Sequence, residues 1–74
     1  MERSSELNVL DKIMHLCVIY VYGEAAPNGY EGNVFVFPNG HTGATQLSVS
    51  YKGEIVSIRT YNWTTSSWSS WKNL

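Results

Sequence analysis

The alternating stretch at residues 44–61 constrains the fold most strongly, because its two halves match as the arms of a β-hairpin. Gly53 can adopt a positive φ at little steric cost, so Lys52-Gly53 predicts a two-residue turn that pairs Tyr51 with Glu54. The pairs that follow outward from this turn are Ser50 with Ile55, Val49 with Val56, Ser48 with Ser57, Leu47 with Ile58, Gln46 with Arg59, and Thr45 with Thr60.

This register divides the hairpin into two faces. One face is apolar and carries Leu47, Val49, Val56 and Ile58; the other is mostly polar and carries Gln46, Ser48, Ser50, Ser57 and Arg59. A slip of one residue would exchange the faces, so the register is well specified. We expect the rest of the chain to cover the apolar face and the polar face to be a solvated or docking surface. Accordingly, Val49→Asp should unfold the domain and Ser48→Asp should be nearly neutral.

The remaining segments predict one helix and two more strands. Residues 5–14 place apolar residues at helical spacing, which favours a short helix, with a hairpin turning at Asp11-Lys12 as the alternative. Residues 15–22 are apolar on both alternating faces and predict a central strand, and residues 33–37 predict another. The expected fold class is therefore α+β: a small antiparallel sheet of about four strands in a meander, with the N-terminal helix packed on one face.

The chain is expected to be a single small domain, 1–74, that ends in a Trp/Ser-rich tail, 64–74. Trp63 should continue the last strand and be structural. Trp68 and Trp71 should be available to a partner, because the spacer 64–67 separates them from the sheet. A short helical stub in the tail is the alternative, since Trp68, Trp71 and Leu74 are three residues apart.

Charge and composition limit the possible partners and location. The net charge is −1 and the five basic residues are scattered, so nucleic acid is an unfavoured partner. The longest apolar run has seven residues, and the first residues lack the positive region of a signal peptide. We therefore expect a complete cytoplasmic chain that does not enter a membrane. The single cysteine permits no internal disulfide.

No catalytic constellation stands out in the sequence. Cys17, His41 and Asp11 could form a nucleophile, base and orienting acid. However, Cys17 lies within an apolar strand, where a free cysteine behaves as a small hydrophobic residue. We predict no enzyme activity, no cofactor and no metal site.

The leading hypothesis is a non-enzymatic, protein-binding regulator or inhibitor of a larger machine, as small phage-encoded proteins often are. Tyr, Trp and Arg dominate binding energetics, and the predicted partner-binding residues are Gln46, Arg59, Tyr61, Trp68 and Trp71. Two alternatives stay open. One is a single-stranded nucleic-acid binder with Phe35, Phe37 and the tryptophans as stacking platforms, although core packing of Phe35 or Phe37 is favoured. The other is a homo-oligomeric structural subunit, such as a homodimer, whose C-terminal tail completes the core of a neighbouring copy.

Overall fold

The computed structural model describes residues 2–40 and 43–74, which form a mostly β structure with seven strands in one mixed sheet. The strands are β1 (Glu2–Ser4), β2 (Cys17–Val21), β3 (Gly32–Asn39), β4 (Gly43–Ser50), β5 (Val56–Asn62), β6 (Ser67–Trp68) and β7 (Lys72–Asn73). Strands β1 to β6 neighbour one another in sequence order, and β7 also pairs with β5. Only β1 and β2 are parallel; the other pairs are antiparallel.

The predicted hairpin register is confirmed. Strands β4 and β5 pair from Val49 with Val56 to Thr45 with Thr60, in the predicted order. The connection is longer than the predicted two-residue turn. The amide of Gly53 donates to the Ser50 carbonyl oxygen at 3.0 Å with φ of +70° at Gly53, and the two strands resume with the Ser50 amide donating to Ile55.

The predicted N-terminal helix and the α+β class are wrong. Residues 2–4 form a strand beside β2, and the only helical turns in the described residues are three 3-10 segments at Val9–Lys12, Gly23–Ala25 and Pro27–Gly29. Asn8 adopts φ of +65°, in the left-handed region, and therefore interrupts the segment 5–14 that was predicted to be a helix. Leu10 and Ile13 are buried, whereas Leu7 is 58 % exposed.

The C-terminal residues are an edge strand rather than a separate tail. Strand β6 pairs Trp68 with Tyr61, and β7 pairs Lys72 with Ile58. Three residues, 69–71, therefore oppose the two β5 residues 59 and 60, which makes a β-bulge. The amide of Ser69 donates to the Thr60 carbonyl oxygen at 2.9 Å and keeps the bulge against β5.

The chain covers the opposite face of the hairpin from the one expected. Gln46, Ser48, Ser50 and Ser57 are buried, whereas Leu47, Val49, Val56 and Ile58 are only half-buried. We call the side of the sheet that carries Gln46 and Ser48 the covered face, and the side that carries Leu47 and Ile58 the open face. The covered face of β2 and β3 carries Ile19, Val21, Val34 and Val36, against which Leu10, Ile13 and Ala25 pack. The main core therefore lies at one end of the sheet, and polar side chains of β4 and β5 continue it.

Candidate binding surface

A polar network explains why the covered face tolerates Gln46. Its Nε2 donates to the carbonyl oxygens of Leu10 at 2.7 Å and Ile13 at 3.0 Å, and its Oε1 accepts from Arg59 Nε at 2.8 Å. The fully buried amide thus has a partner on both its nitrogen and its oxygen. Because these carbonyl groups belong to the 3-10 segment Val9–Lys12 and the residue after it, Gln46 fixes that segment on the sheet.

Arg59 lies between two indole rings. Its guanidinium carbon is 4.2 Å from the centroid of the Trp68 ring and 4.8 Å from that of Trp71. Its Nη2 donates to Asp11 Oδ1 at 3.0 Å, and the Arg59 side chain is only 10 % exposed. Burial lowers the pKa of the guanidinium, and the hydrogen bond to Asp11 opposes that shift. Arg59 thus joins the 3-10 segment, the sheet and the C-terminal edge.

The structure brings the five predicted binding residues together, but largely on the covered face. Tyr61 and Trp68 form an edge-to-face pair with centroids 5.4 Å apart. Trp68 and Trp71 pack against the core, whereas Trp63 is 62 % exposed, so the three tryptophans have the reverse of the expected roles. Gln46 is fully buried and has no surface to offer a partner. The sequence pattern gave no sign that two indoles would enclose Arg59.

The open face is the larger unassigned surface. Its central row crosses four strands through directly paired residues: Val18, Phe35, Leu47 and Ile58. A second row runs through Tyr20, Asn33, Val49 and Val56, and a third through Phe37, Thr45 and Thr60. None of these eleven side chains is charged, but Arg3 pairs with Tyr20 at one end of the second row and Lys72 pairs with Ile58 at one end of the central row. Directly paired residues have Cβ atoms about 5 Å apart, so the apolar members form one continuous patch.

The side chains of the open face are incompletely covered by the described residues. Val18 is 37 % exposed and Phe37 is 46 % exposed, while Phe35, Leu47 and Ile58 are half-buried. The expectation that Phe35 and Phe37 pack in the core is therefore wrong. Both rings project from β3 on the side opposite Val34 and Val36. Their alternation with these valines was visible in the sequence, but it did not reveal which side would be covered.

A hydrogen bond at the margin of the open face ties Tyr20 to the loop before β3. The Tyr20 hydroxyl donates to Glu31 Oε2. This bond, with smaller contributions from burial and from the Glu31 charge, raises the pKa of Tyr20 to about 12. The interaction fixes the orientation of Tyr20, which is the β2 member of the second row.

The possible catalytic residues do not assemble in the described part of the chain. Burial raises the pKa of the Cys17 thiol, and the Glu2 carboxylate adds to the shift, which disfavours a thiolate nucleophile. Asp11 is paired with Arg59, and His41 lies outside the described residues. Residues 2–40 and 43–74 contain no group of three or more His, Cys, Asp and Glu side chains placed to bind a metal ion.

No family model, curated protein or solved structure matches this chain in comparisons with known proteins. Among the residues that the structure describes, no helix is long and apolar enough to cross a membrane.

Proposed function

We propose that this protein acts by binding a polypeptide chain through its open face, without catalysis. The observation that carries the proposal is the central row of four apolar side chains on adjacent strands, Val18, Phe35, Leu47 and Ile58. Contiguous exposed apolar surfaces on small proteins mark interaction sites. Removal of such surface from water is the dominant favourable contribution to most protein association.

The covered face supports this function indirectly. The Gln46–Arg59 network and the enclosing indoles hold β4 and β5 against the 3-10 segment, so the open face is presented on a rigid sheet. A preorganised surface loses less conformational entropy when it binds. Arg59, Trp68 and Trp71 are therefore supporting residues, and the contact residues lie on the other side.

Single-stranded nucleic acid is the second candidate, because Phe35 and Phe37 project from a sheet face as base-stacking rings do. The charges argue against it. Arg59 is largely buried beside Asp11, and Lys12 is paired with Glu6 at 3.1 Å. Fluorescence anisotropy with labelled single-stranded oligonucleotides should give no binding at physiological salt. Sub-micromolar binding would replace our proposal with this one.

Site-specific photocrosslinking in the cells that naturally make the protein tests the proposal. A benzophenone amino acid at Leu47 should give a discrete polypeptide adduct on irradiation. The control places the same amino acid at Leu7, which is also exposed but belongs to the segment leading into Val9–Lys12 on the opposite side of the sheet. Absence of any polypeptide adduct at Leu47, or equal adducts at both positions, would contradict the proposal.

A further inference from the structure

We infer that the partner seated on the open face is a second copy of this chain, packed face to face as a two-sheet sandwich. This inference rests on the proposed function and names the polypeptide that the open face binds. Its support comes from the charge of the face, the size of the core and the area available.

The open face suits an apolar partner with the same surface. The eleven side chains of its three rows carry no charge, so the centre of an interface between two copies holds no like charges. The charged groups lie at the margins of the face: Arg3 pairs with Tyr20, and Glu31 accepts the Tyr20 hydroxyl hydrogen bond. The central row ends at Lys72, which pairs with Ile58 at the edge of the sheet, where the ammonium group can stay in water. A two-fold axis in the plane between the sheets would place the same patch on each side, as isologous interfaces require.

The core of one copy is small for a stable domain. Eight apolar residues are buried among the described ones, and polar side chains occupy the β4–β5 part of the covered face. A chain of about 70 residues rarely gains more than roughly 3–5 kcal/mol from one core and usually needs a further stabilising element. A sandwich of two copies supplies a second, wholly apolar core from Phe35, Leu47 and Ile58 and their symmetry mates.

The outline of the molecule sets the scale of the area that two copies can share. The two longer dimensions of the molecule are 33 and 24 Å, and the shortest is 18 Å. An ellipse with the two longer axes covers about 600 Å², so two copies that met over this whole outline would bury about 1,200 Å², the lower end of the range of specific interfaces. Side chains of two packed sheets interdigitate across about 10 Å, a distance that the large residues of the central row can fill.

Sedimentation equilibrium of the purified full chain over a hundredfold concentration range tests the inference. We expect a monomer–dimer equilibrium that Leu47→Lys shifts to monomer at every concentration. The matched control, Leu7→Lys, should dimerise as the unmodified chain does, because Leu7 lies outside the open face. Far-ultraviolet circular dichroism confirms that each variant is folded. If Leu47→Lys fails to fold, the benzophenone variant at Leu47 replaces it and should crosslink to a second chain in the purified protein.

The outcomes separate this inference from the proposed function. If the purified chain is monomeric throughout the concentration range, the inference that the partner is a second copy is wrong. A dimer that Leu47→Lys leaves intact in a folded protein overturns it too, because association would then use another surface such as the strand edges. If the cellular adduct at Leu47 contains a different polypeptide while the purified chain is monomeric, the proposed function stands and the second copy fails. If the cells yield no adduct at Leu47, the proposed function fails.

Discussion

The two faces of the sheet are covered in the opposite way to the one that their composition predicts: the polar face of β4 and β5 is buried and the apolar face is open. On β4 and β5 the polar side chains, Gln46 and Arg59 among them, lie under the 3-10 segment, while Leu47 and Ile58 lie on the open face. The polar side is stabilised by specific partners: two carbonyl oxygens for the amide, a carboxylate and two indole rings for the guanidinium. The apolar side has no comparable partner among the described residues.

This difference shows that pairing and covering are separate properties of a strand. The alternation of side chains determines which residues share a face. Here the covering segment packs on the face where Gln46 donates hydrogen bonds to its carbonyl groups. Polar side chains on the covered face also have partners within the hairpin, since Ser50 Oγ accepts from the amides of Glu54 at 2.8 Å and Ile55 at 3.1 Å. Buried polar groups that are paired in this way are compatible with a core, and the apolar face is the one that the described residues leave uncovered.

The largest expected effect comes from a carboxylate placed on the covered face. Ser48 is 4 % exposed, so Ser48→Asp should destabilise the fold by about 3 kcal/mol or more, as an uncompensated buried charge does. Val49 is the next residue in β4 and lies on the open face, so Val49→Asp should lower the free energy of unfolding of the monomer by only about 1 kcal/mol. This order reverses the sequence-based expectation. Urea unfolding at a concentration where the chain is monomeric measures both, and a larger loss for Val49→Asp would show that the faces are misassigned.

Removal of the guanidinium should have the next largest effect. Arg59→Ala leaves the buried Gln46 Oε1 without its donor and removes the guanidinium that both Trp68 and Trp71 contact, so we expect a loss of about 3 kcal/mol in unfolding free energy. Lys12→Ala breaks an ion pair whose side chains are 72 % and 60 % exposed and should change stability by less than about 1 kcal/mol. Equal losses of unfolding free energy in the two variants would show that Arg59 does not have this structural role.

The tryptophans extend the comparison to the C-terminal edge. Trp68→Ala removes a ring that packs on Arg59 and Tyr61, and we expect it to cost about 2 kcal/mol in unfolding free energy. Trp63→Ala should change stability by less than about 0.5 kcal/mol, because Trp63 is 62 % exposed. Thermal melts monitored by circular dichroism compare the two variants. A greater effect at Trp63 would restore the sequence-based interpretation, in which that residue is structural.

The smallest effect concerns the Tyr20–Glu31 contact on the open face. The pKa of Tyr20 is raised to about 12 from 10.0, so the folded state holds this proton more tightly than the unfolded state. The resulting stabilisation is fully present below about pH 10 and is lost as the pH rises through 12. Absorbance at 295 nm should show a late tyrosinate step near pH 12 that Tyr20→Phe abolishes. A titration unchanged by that substitution would show that the contact does not form in solution.

Sequence reasoning could predict the hairpin because its information is local. The two-residue period of residues 44–61 is shared by both arms, and every other register breaks the match between them. The prediction of a helix over 5–14 was also wrong for a local reason. Asn8 adopts a left-handed conformation, and a segment of ten residues has too little helical stability to overcome that interruption.

The covered face and the Arg59 cluster could not be predicted in this way. Asp11 and Arg59 are 48 residues apart in sequence, and Trp68 reaches the Asp11 carbonyl oxygen across 57 residues, so no window of sequence contains the interaction. The one available hint was the direct pairing of Gln46 with Arg59, which places an amide beside a guanidinium. This pairing predicts a polar contact between the two side chains, but it does not predict that Asp11 and Trp68 pack against Arg59.

Side-chain nuclear Overhauser effects test most directly which face the 3-10 segment covers. The account predicts contacts from the methyl groups of Leu10 and Ile13 to Val36, and from the Gln46 side-chain amide to the 3-10 segment. It predicts none from Leu10 or Ile13 to Leu47 or Ile58, in a monomer or in the proposed dimer. Contacts between Leu10 and the methyl groups of Leu47 or Ile58, with a solvent-exposed Gln46 amide, would contradict the assignment of the two faces.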